Sequence, residues 1–572
     1  MNYKAIIYPL LAVSASLTAC TDMLEKEPLD SNVNSPVFWN TVGNIQNYAN
    51  SFYTDYPSYN SDFYVHALSD DQVSTGFTDW KYLNVPAGDG NWSSPWTEIR
   101  RANAMIESIN AYSTGLDAAT KNYWLGVARL NRAYQYWNLV RKYGDCPYTD
   151  KVLDIDSPEL YSARVDRDVV MDKVLEDLNF ACENITSSSS KQEWSQEMAN
   201  ALKSKICLWE GTFRKYRSTT DGQKAPDEEG AARFLNACVE ADQAIMASGN
   251  NYQLGDYKSL YNSTSLLDNS EVIFCKEYKQ STLTHSLIAN TSSSSEQSGM
   301  SKDAFDSYLF TDGKPKALTT LNTDDAGVLK PSSTDGGQHL NITAQLKVRD
   351  KRLAATIDSV VCYAGREWKR TADGMSMSSA SGYTVWKYDN LSIPLEFRKA
   401  GNYTWSPTFW LAVIYLDYAE AKAELADLGK GQISQADLDA TVNKLRERAG
   451  LPGMALQPEH DPANNMGVSD LIWEIRRERR CELMFDEDFR YWDLIRWHQL
   501  ALLDSSKHPN ILIGANLKNE PTPDLTRIDL TADKYMDGTD GHTRVFDAKN
   551  YLYPIPTEEI TLNKNLGQNP GW

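Results

Sequence analysis

Several motifs that mark catalytic or metal-binding sites are missing from this sequence. The seven histidines are dispersed and form no H-E-x-x-H pair, and no two of the eight cysteines are spaced as C-x-x-C. There is also no glycine-rich phosphate loop and no G-x-S-x-G turn. These absences argue against a zinc site, a nucleotide-binding loop and a serine hydrolase. We therefore expect no catalytic residue and no cofactor, and we assign no metal ligand; binding of a structural ion such as calcium stays open.

Basic residues are also in short supply. Lys and Arg number 57 against 77 Asp and Glu, which gives a formal net charge of −20. Phosphate backbones are bound mainly by Lys and Arg, so an acidic body of this kind is a poor partner for nucleic acid. The same charge disfavours docking on anionic lipid. We therefore expect no nucleic-acid partner.

Long hydrophobic runs are missing beyond the N-terminus. The run FWLAVIYL (409–416) stops at Asp417, far short of the roughly 20 residues that a membrane-spanning helix needs. At the N-terminus, Lys4 precedes AIIYPLLAVSASL, whose length is typical of a signal-peptide core. An anchor, if the protein has one, is therefore expected to be a lipid and not a transmembrane helix.

The end of this apolar run predicts such an anchor. LTAC ends at Cys20 and resembles a bacterial lipobox, in which the cysteine is acylated after the leader, residues 1–19, is removed. The leader carries one lysine and no acid, so the mature chain has a charge of −21. The other seven cysteines lie between Cys146 and Cys481, and an odd number cannot all pair, which disfavours a disulfide scaffold.

The rest of the chain alternates helical and irregular segments. Apolar residues recur at helical spacing over 96–112, 127–144, 167–185, 196–213, 231–249, 408–429 and 438–450. Between them lie long stretches rich in Gly, Pro, Ser, Asp and aromatic residues, at 54–95, 281–345 and 362–407. Long loops inside a large domain are uncommon unless they are functional. We predict a mainly α, tetratricopeptide-like helical scaffold that carries its working surface on loops.

The stretch RRERRCELMFDEDFRYWDLIRW (476–497) combines six acids, six arginines and five aromatic residues. It contains no Gly or Pro, and its apolar residues follow helical spacing. On such a helix Asp486 can meet Arg490, and Arg490 can meet Asp493. A pair of carboxylates could serve a glycosidase. However, a neighbouring Arg lowers the pKa of a carboxyl and disfavours a general acid, so we favour structural ion pairs.

This stretch also resembles the C-terminal signature of the SusD/RagB lipoproteins. Further segments resemble that family in the same order: WTEIRRANAMIESI, LNRAYQYWNLVRKYGDCPY, LKVRDKRLAATI, SGYTVWKY, YLDYAEAKAEL, KLRERAGLP and the closing YLYPIPTEEITLNKNLGQNPGW. The resemblance covers nearly the whole mature chain. There is one departure, because family members often have Glu-Gly where this chain has Asp486-Glu487-Asp488. The departure puts the local turn in doubt.

The resemblance implies a domain plan and a role. After the signal peptide (1–19), an N-terminal helical region spans 20–250. A C-terminal region spans 251–572, with variable loops at 281–407, helical scaffold at 408–503 and an irregular end. The family implies a loop-rich half with few short strands. It also implies an outward-facing outer-membrane lipoprotein that binds a nutrient, most often oligosaccharide, and passes it to a SusC-type TonB-dependent transporter, without enzymatic activity.

Candidate ligand contacts lie in the irregular stretch 70–92. Sugars present apolar C–H faces and a rim of hydroxyls, so a binder needs flat rings beside polar side chains. Here we single out Phe77, Trp80, Tyr82 and Trp92, with Asp79, Lys81 and Asn91 beside them. Trp80 is the strongest candidate, because no apolar stripe at helical spacing surrounds it. The alternative is that these rings anchor the loop to the scaffold.

Five further aromatic residues divide into three groups. Trp96 opens a helix on its apolar stripe and is assigned to the core. Tyr383 and Trp386 lie in SGYTVWKY, which resembles a family motif, and they are secondary ligand candidates. Trp368 and Trp405 stay undecided.

Two other functions compete with glycan binding. Tetratricopeptide-like grooves usually bind peptides, so a peptide-binding or protein-binding lipoprotein of the same uptake class is an alternative. A glycoside hydrolase is compatible with the acids and aromatic residues, although no motif supports it. The ligand itself cannot be named from the sequence.

Overall fold

The computed structural model describes residues 36–59, 68–291 and 298–572, and the side chain of Asp221 is not part of the description. The predicted signal peptide and Cys20 lie outside these residues. The fold is mainly α with short strands, as predicted. The domain boundaries at 20–250 and 251–572 stay a prediction.

The N-terminal part is a set of helices, of which all but the first overlap the predicted segments. These are α1 (Val42–Ala49), α2 (Gly90–Tyr112), α3 (Ala118–Tyr143), α4 (Arg167–Asn184), α5 (Gln196–Tyr216) and α6 (Glu228–Met246). Each helix packs on the next from α2 to α6. Gly211 lets α5 and α6 approach closely, since a Cβ there would lie 2.7 Å from the Leu235 side chain.

Local sequence sets the ends of these helices. The side chain of Asp89 accepts a hydrogen bond from Asn91 N at the start of α2, and Asp117 accepts one from Thr120 N at the start of α3. Gly144, at φ 72°, ends α3 where the sequence predicts. Helix α2 begins six residues earlier than predicted, at Gly90, so Trp92 and Asn91 belong to a helix and not to a loop.

The middle of the chain is loop-rich, with short helices and strands. The helices are α7 (Ser259–Asn262), α8 (Leu287–Thr291), α9 (Lys302–Ser307), α10 (Thr343–Lys347), α11 (Lys351–Thr356) and α12 (Leu395–Arg398). The strands are β1 (Gln72–Val73), β2 (Val272–Lys276), β3 (Gly299–Met300), β4 (Val328–Pro331), β5 (Gln338–Asn341), β6 (Val360–Val361), β7 (Trp368–Lys369), β8 (Ser376–Met377) and β9 (Ser406–Trp410). They pair antiparallel as β1–β3, β2–β9, β4–β5–β6 and β7–β8.

The C-terminal part returns to helices and then to irregular chain. Its helices are α13 (Leu411–Asp427), α14 (Gln435–Ala440), α15 (Val442–Ala449), α16 (Asp470–Glu482), α17 (Phe489–Arg496) and α18 (Thr557–Leu562), and its strands are β10 (Ile513–Asn516), β11 (Asp529–Leu530) and β12 (Tyr535–Asp537), ordered β10–β12–β11. Helix α13 packs on both α6 and α16.

The predicted continuous helix through 476–497 is wrong. A turn at 483–488 separates α16 from α17, and Phe485 and Glu487 have φ of 67° and 48°. Glu487 occupies the position where family members often have Gly, the residue that adopts this left-handed conformation most readily. The turn is therefore kept without the glycine. Glu487 is held there by Lys205, whose Nζ lies 2.7 Å from Glu487 Oε2.

The two halves of the stretch 476–497 join two apolar cores. Tyr491, Trp492 and Leu494 pack with the N-terminal helices. Met484 and Phe485, in contrast, pack with the loop-rich part. The stretch therefore ties the helical scaffold to the variable part, which is a structural role.

Across the described residues, no helix is both long enough and apolar enough to cross a membrane. The seven cysteines from Cys146 to Cys481 are free thiols, in agreement with the absence of a disulfide scaffold.

Candidate functional site

The structure contradicts the prediction that Trp80 presents its ring to a ligand. The side chain is only 8% exposed, and its Nε1 donates a hydrogen bond to Val545 O at 2.7 Å. Its ring meets Phe546 edge-on at 6.1 Å. Arg544 Nη1 also donates to Thr78 O. The ring thus anchors the loop to the C-terminal segment, which the local sequence could not show because the partners lie more than 460 residues away.

Trp92 is likewise buried, at 3% exposure, and meets Tyr143 edge-on at 5.0 Å. Its neighbour Asn91 accepts a hydrogen bond from Lys142 Nζ at 2.9 Å. Tyr82 is half-buried and donates its hydroxyl to Asp89 at 2.5 Å. Burial lowers the pKa of Lys142 to about 7. Trp96, which the sequence predicts to lie in the core, is half-buried and packs against the edge of that core.

The other members of the predicted loop lie nearer the surface. Phe77 is half-buried beside His542, with ring centroids 5.3 Å apart, and its backbone N donates to Asp540 Oδ2. Lys81 is exposed, and its Nζ lies 5.7 Å from the centre of the Tyr82 ring. Asp79 accepts from Trp80 N at 2.8 Å. Ligand contact by Phe77, Asp79, Lys81, Tyr82 and Asn91 stays a prediction.

The secondary candidates are held by the protein itself. Tyr383 is 1% exposed and stacks on Phe305 with centroids 4.8 Å apart, so the structure contradicts an exposed ring there. Trp386 is half-buried, with its Nε1 donating to Ala354 O and with Lys258 Nζ 2.8 Å from its ring centre. Of the two undecided residues, Trp405 is buried and Trp368 is half-buried.

The charges of 476–497 form ion pairs, as predicted, and most of their partners lie outside the stretch. Asp486 pairs with Lys387 at 2.6 Å and not with Arg490, and both side chains of that pair are fully buried. Asp493 pairs with Arg479 and Arg496. Burial raises the pKa of Asp486, against the opposing charge of Lys387. The expected lowering of carboxyl pKa by arginine is therefore wrong for Asp486, because burial outweighs the nearby charge.

A cavity of about 410 Å³ lies where this stretch meets the loop-rich part. Binding pockets for small ligands typically span about 300–1,000 Å³, so its size suits one. Helices α16 and α17 provide one wall, and the segments 303–317, 461–466 and 502–511 provide the others. Its lining combines the apolar side chains of Pro315, Met466, Trp473, Leu502 and Ile511 with Asp70, Asp303, Asp306, Asp461, Asn465, Asn510, Lys316, His508 and four arginines.

Asp461 fixes a ring and a cation on the cavity wall. It accepts a hydrogen bond from Trp473 Nε1 at 3.3 Å and forms an ion pair with Arg477. Its other oxygen accepts from Ala463 N at 2.9 Å. Trp473 is half-buried, and the Arg477 guanidinium lies 5.5 Å from its ring centre. This is a flat ring beside fixed polar groups, the combination that we expected in 70–92.

Asp70 organises a second part of this wall. Arg490 makes a bidentate contact with its carboxylate, in which Nε donates to Oδ1 at 2.8 Å and Nη2 donates to Oδ2 at 2.6 Å. Arg480 Nη2 lies 3.3 Å from the same Oδ2. Burial opposes ionisation of Asp70, but both arginines outweigh it and hold its pKa below the usual range. The pKa of Asp71 is instead raised by burial, which Arg480 opposes and Asp70 reinforces.

Most of this cavity could not be found from the sequence. Of the stretch 70–92, Asp70 lines it, whereas none of the seven candidate residues of that stretch does. The segments 303–317 and 461–466 carry no periodic pattern. Trp473 has the one usable signal, because it is a large aromatic residue one turn before Arg476 and Arg477 on a strongly charged helix.

Comparison with known proteins agrees with this architecture. The model of the SusD family matches residues 270–572, and a second family model, described as starch-binding associating with outer membrane, matches residues 21–208. Two SusD-like proteins of Formosa agariphila are similar in sequence. One is 24% identical and the alignment covers 86% of this chain and 83% of the relative, while the other is 22% identical and covers 76% and 74%.

Solved structures share the fold. A SusD-like carbohydrate binding protein from Bacteroides fragilis has a TM-score of 0.68 at 21% identity, covering 93% of this chain and 100% of that chain. A laminarin binding SusD-like protein has a TM-score of 0.53 at 19% identity, covering 93% and 99%. The fold is a mainly α, tetratricopeptide-like scaffold with a cavity large enough for a small ligand. The chain belongs to the SusD family, which confirms the resemblance seen in its sequence.

Proposed function

We propose that this chain is an outer-membrane surface lipoprotein that binds an oligosaccharide or polysaccharide and passes it to a SusC-type TonB-dependent transporter, without chemical conversion. Family membership supports it, as do the starch-binding family model that matches residues 21–208 and the carbohydrate-binding and laminarin-binding proteins that share the fold. The observation that carries the proposal is the cavity wall at Trp473. There a half-buried ring lies beside Asp461 and Arg477, which are fixed by their mutual ion pair.

A sugar fits this wall for physical reasons. Its apolar C–H face can lie on the Trp473 ring, and its hydroxyls can bond with Asn465, Asn510 and the arginines. Arg477 and Arg490 are already held by Asp461 and Asp70, so their part in binding costs little ordering. Phe77, Lys81 and Tyr82, which are less buried than Trp80, are further candidate contacts outside the cavity.

Calorimetric titration after an oligosaccharide and peptide array tests the proposal. Trp473→Ala should weaken the affinity for the best oligosaccharide at least tenfold, because an aromatic contact at the centre of a site can contribute about 2 kcal/mol or more. Trp368→Ala is the matched control, since Trp368 is also half-buried but does not line the cavity. Binding of peptides alone would favour the peptide-uptake alternative, and shortened oligosaccharide products would favour a hydrolase.

The anchor and the partner have separate tests. Cys20→Ala should move the protein from the membrane fraction to the soluble fraction, and unchanged membrane association would contradict lipidation. Mild-detergent purification of the native protein should recover a SusC-type transporter. A protein that elutes alone under those conditions would contradict the partnership.

A further inference from the structure

We propose that the oligosaccharide bound in the cavity carries an anionic group, a uronate carboxylate or a sulfate ester, held by Arg477 and Arg490. This inference rests on the proposed function and adds the ligand's charge to it. It is carried by the arrangement of the arginines on the cavity wall, which is unusual for a chain whose net charge is −20.

The carboxylates that pair with these arginines lie deeper than the arginines themselves. Asp461 is 1% exposed and Asp70 is 3% exposed, whereas the side chains of Arg477 and Arg490 keep 7% and 11% of their surface. Arg476, which also lines the cavity, pairs with the fully buried Glu424 at 3.0 Å. On this wall the acids therefore lie behind the guanidinium groups.

Each of the two arginines has a donor left over. A guanidinium has five N–H donors in a planar fork. Arg490 donates hydrogen bonds to Asp70 through Nε and Nη2. Arg477 donates to Asp461 through Nη2, and its Nε lies 3.2 Å from Glu474 Oε1. Within 36–59, 68–291 and 298–572, the Nη1 of neither arginine has a hydrogen-bond partner. Oxyanions are the acceptors that such donors bind most strongly.

The acids on the other side of the cavity do not cancel this preference. Asp303 is paired with Arg480 at 2.8 Å, and Asp306 is contacted by Lys302 and by Lys316, the latter at 3.5 Å. Lys316 keeps 39% of its side-chain surface and lines the cavity. All four carboxylates of the lining are thus engaged by cations, while two guanidinium donors remain.

The site is also fixed before the ligand arrives. The two-pronged contact with Asp70 sets the plane of the Arg490 guanidinium, and Asp461 sets both Arg477 and the Trp473 ring. An anion can therefore bind without reorganising the wall, which is the condition under which charge-assisted hydrogen bonds contribute most.

The test is a binding series with the full mature chain and purified oligosaccharides. The panel contains neutral glucans, uronate oligosaccharides, the methyl esters of those uronates, and sulfated oligosaccharides. We expect the tightest ligand to be anionic. If it is a uronate, its methyl ester should bind at least tenfold more weakly. Raising NaCl from 50 to 500 mM should weaken an anionic ligand severalfold and leave neutral ligands unchanged.

Variants locate the effect. Arg490→Gln and Lys316→Gln should each weaken the anionic ligand severalfold or more. Lys314→Gln, two residues from Lys316 and outside the cavity lining, should not. If Arg490→Gln fails to fold, Lys316→Gln and the ester and salt series decide the question. A tightest ligand that is neutral and insensitive to salt would overturn this inference and leave the proposed function standing, whereas no binding by any member would contradict both.

Discussion

Replacing Trp80 by Ala should destabilise the protein and leave oligosaccharide affinity unchanged. The ring is 8% exposed, donates to Val545 O and packs edge-on against Phe546. Truncating a buried Trp costs about 3–5 kcal/mol, with the lower values where the site can collapse. The two partners lie on loop segments that can close in, so we expect about 3 kcal/mol. Losing the hydrogen bond to the Val545 carbonyl adds little to this loss of stability, because Val545 is exposed and its carbonyl can bond with water instead.

The assay must suit the size of the chain. Unfolding entropy is about 2.1 cal/mol/K per residue, so a chain of 572 residues that unfolds as one unit shifts its Tm by only about 1 °C per kcal/mol. Urea unfolding and limited proteolysis of the segment 70–92 are therefore better measurements than a thermal melt. Trp80→Phe separates the two contributions, because it keeps most of the ring and loses the hydrogen bond, for about 1 kcal/mol.

A clear outcome would refute this reasoning. If Trp80→Ala keeps the urea midpoint and the proteolysis rate of the parent but binds oligosaccharide tenfold more weakly, the ring contacts the ligand in solution and does not anchor the loop. The same result for Trp80→Phe would identify the indole N–H as the group that the ligand meets.

Two further predictions concern buried charge. Lys387→Met should lower the free energy of unfolding in urea by about 3–5 kcal/mol, because it leaves the fully buried Asp486 without its cation. The double variant Lys387→Met with Asp486→Leu should recover most of this loss of stability. If the second substitution instead lowers the stability further, the two residues do not form a specific pair. Burial lowers the pKa of His285 from 6.5 to about 4, so between those pH values the unfolded chain binds a proton that the folded chain does not. The free energy of unfolding should therefore fall as the pH drops from 6.5 to 4, by up to about 3 kcal/mol more in the parent than in His285→Gln. If the two proteins lose stability in parallel over this range, His285 is not the group responsible.

The sequence determined the helical scaffold because its signals are local. Apolar residues at helical spacing, capping acids such as Asp117 and the glycine at position 144 act within a few residues of themselves. The predicted segments overlap the observed helices, although α2 and α3 begin earlier than predicted. The family could be read in the same way, since its motifs follow in order along the chain. The structural character of 476–497 also followed from its matched charges.

Which residues face a ligand was decided by tertiary structure. The surroundings of Trp80 look irregular over ten residues, yet its ring is buried by a segment more than 460 residues away. Asp486 has arginines nearby in sequence but pairs with Lys387, because the turn at Glu487 redirects the chain before a helix can bring Arg490 beside it. The cavity likewise exists only where separate segments meet. Burial and pairing over such separations leave no periodic trace in the sequence, so only the assembled fold determines them.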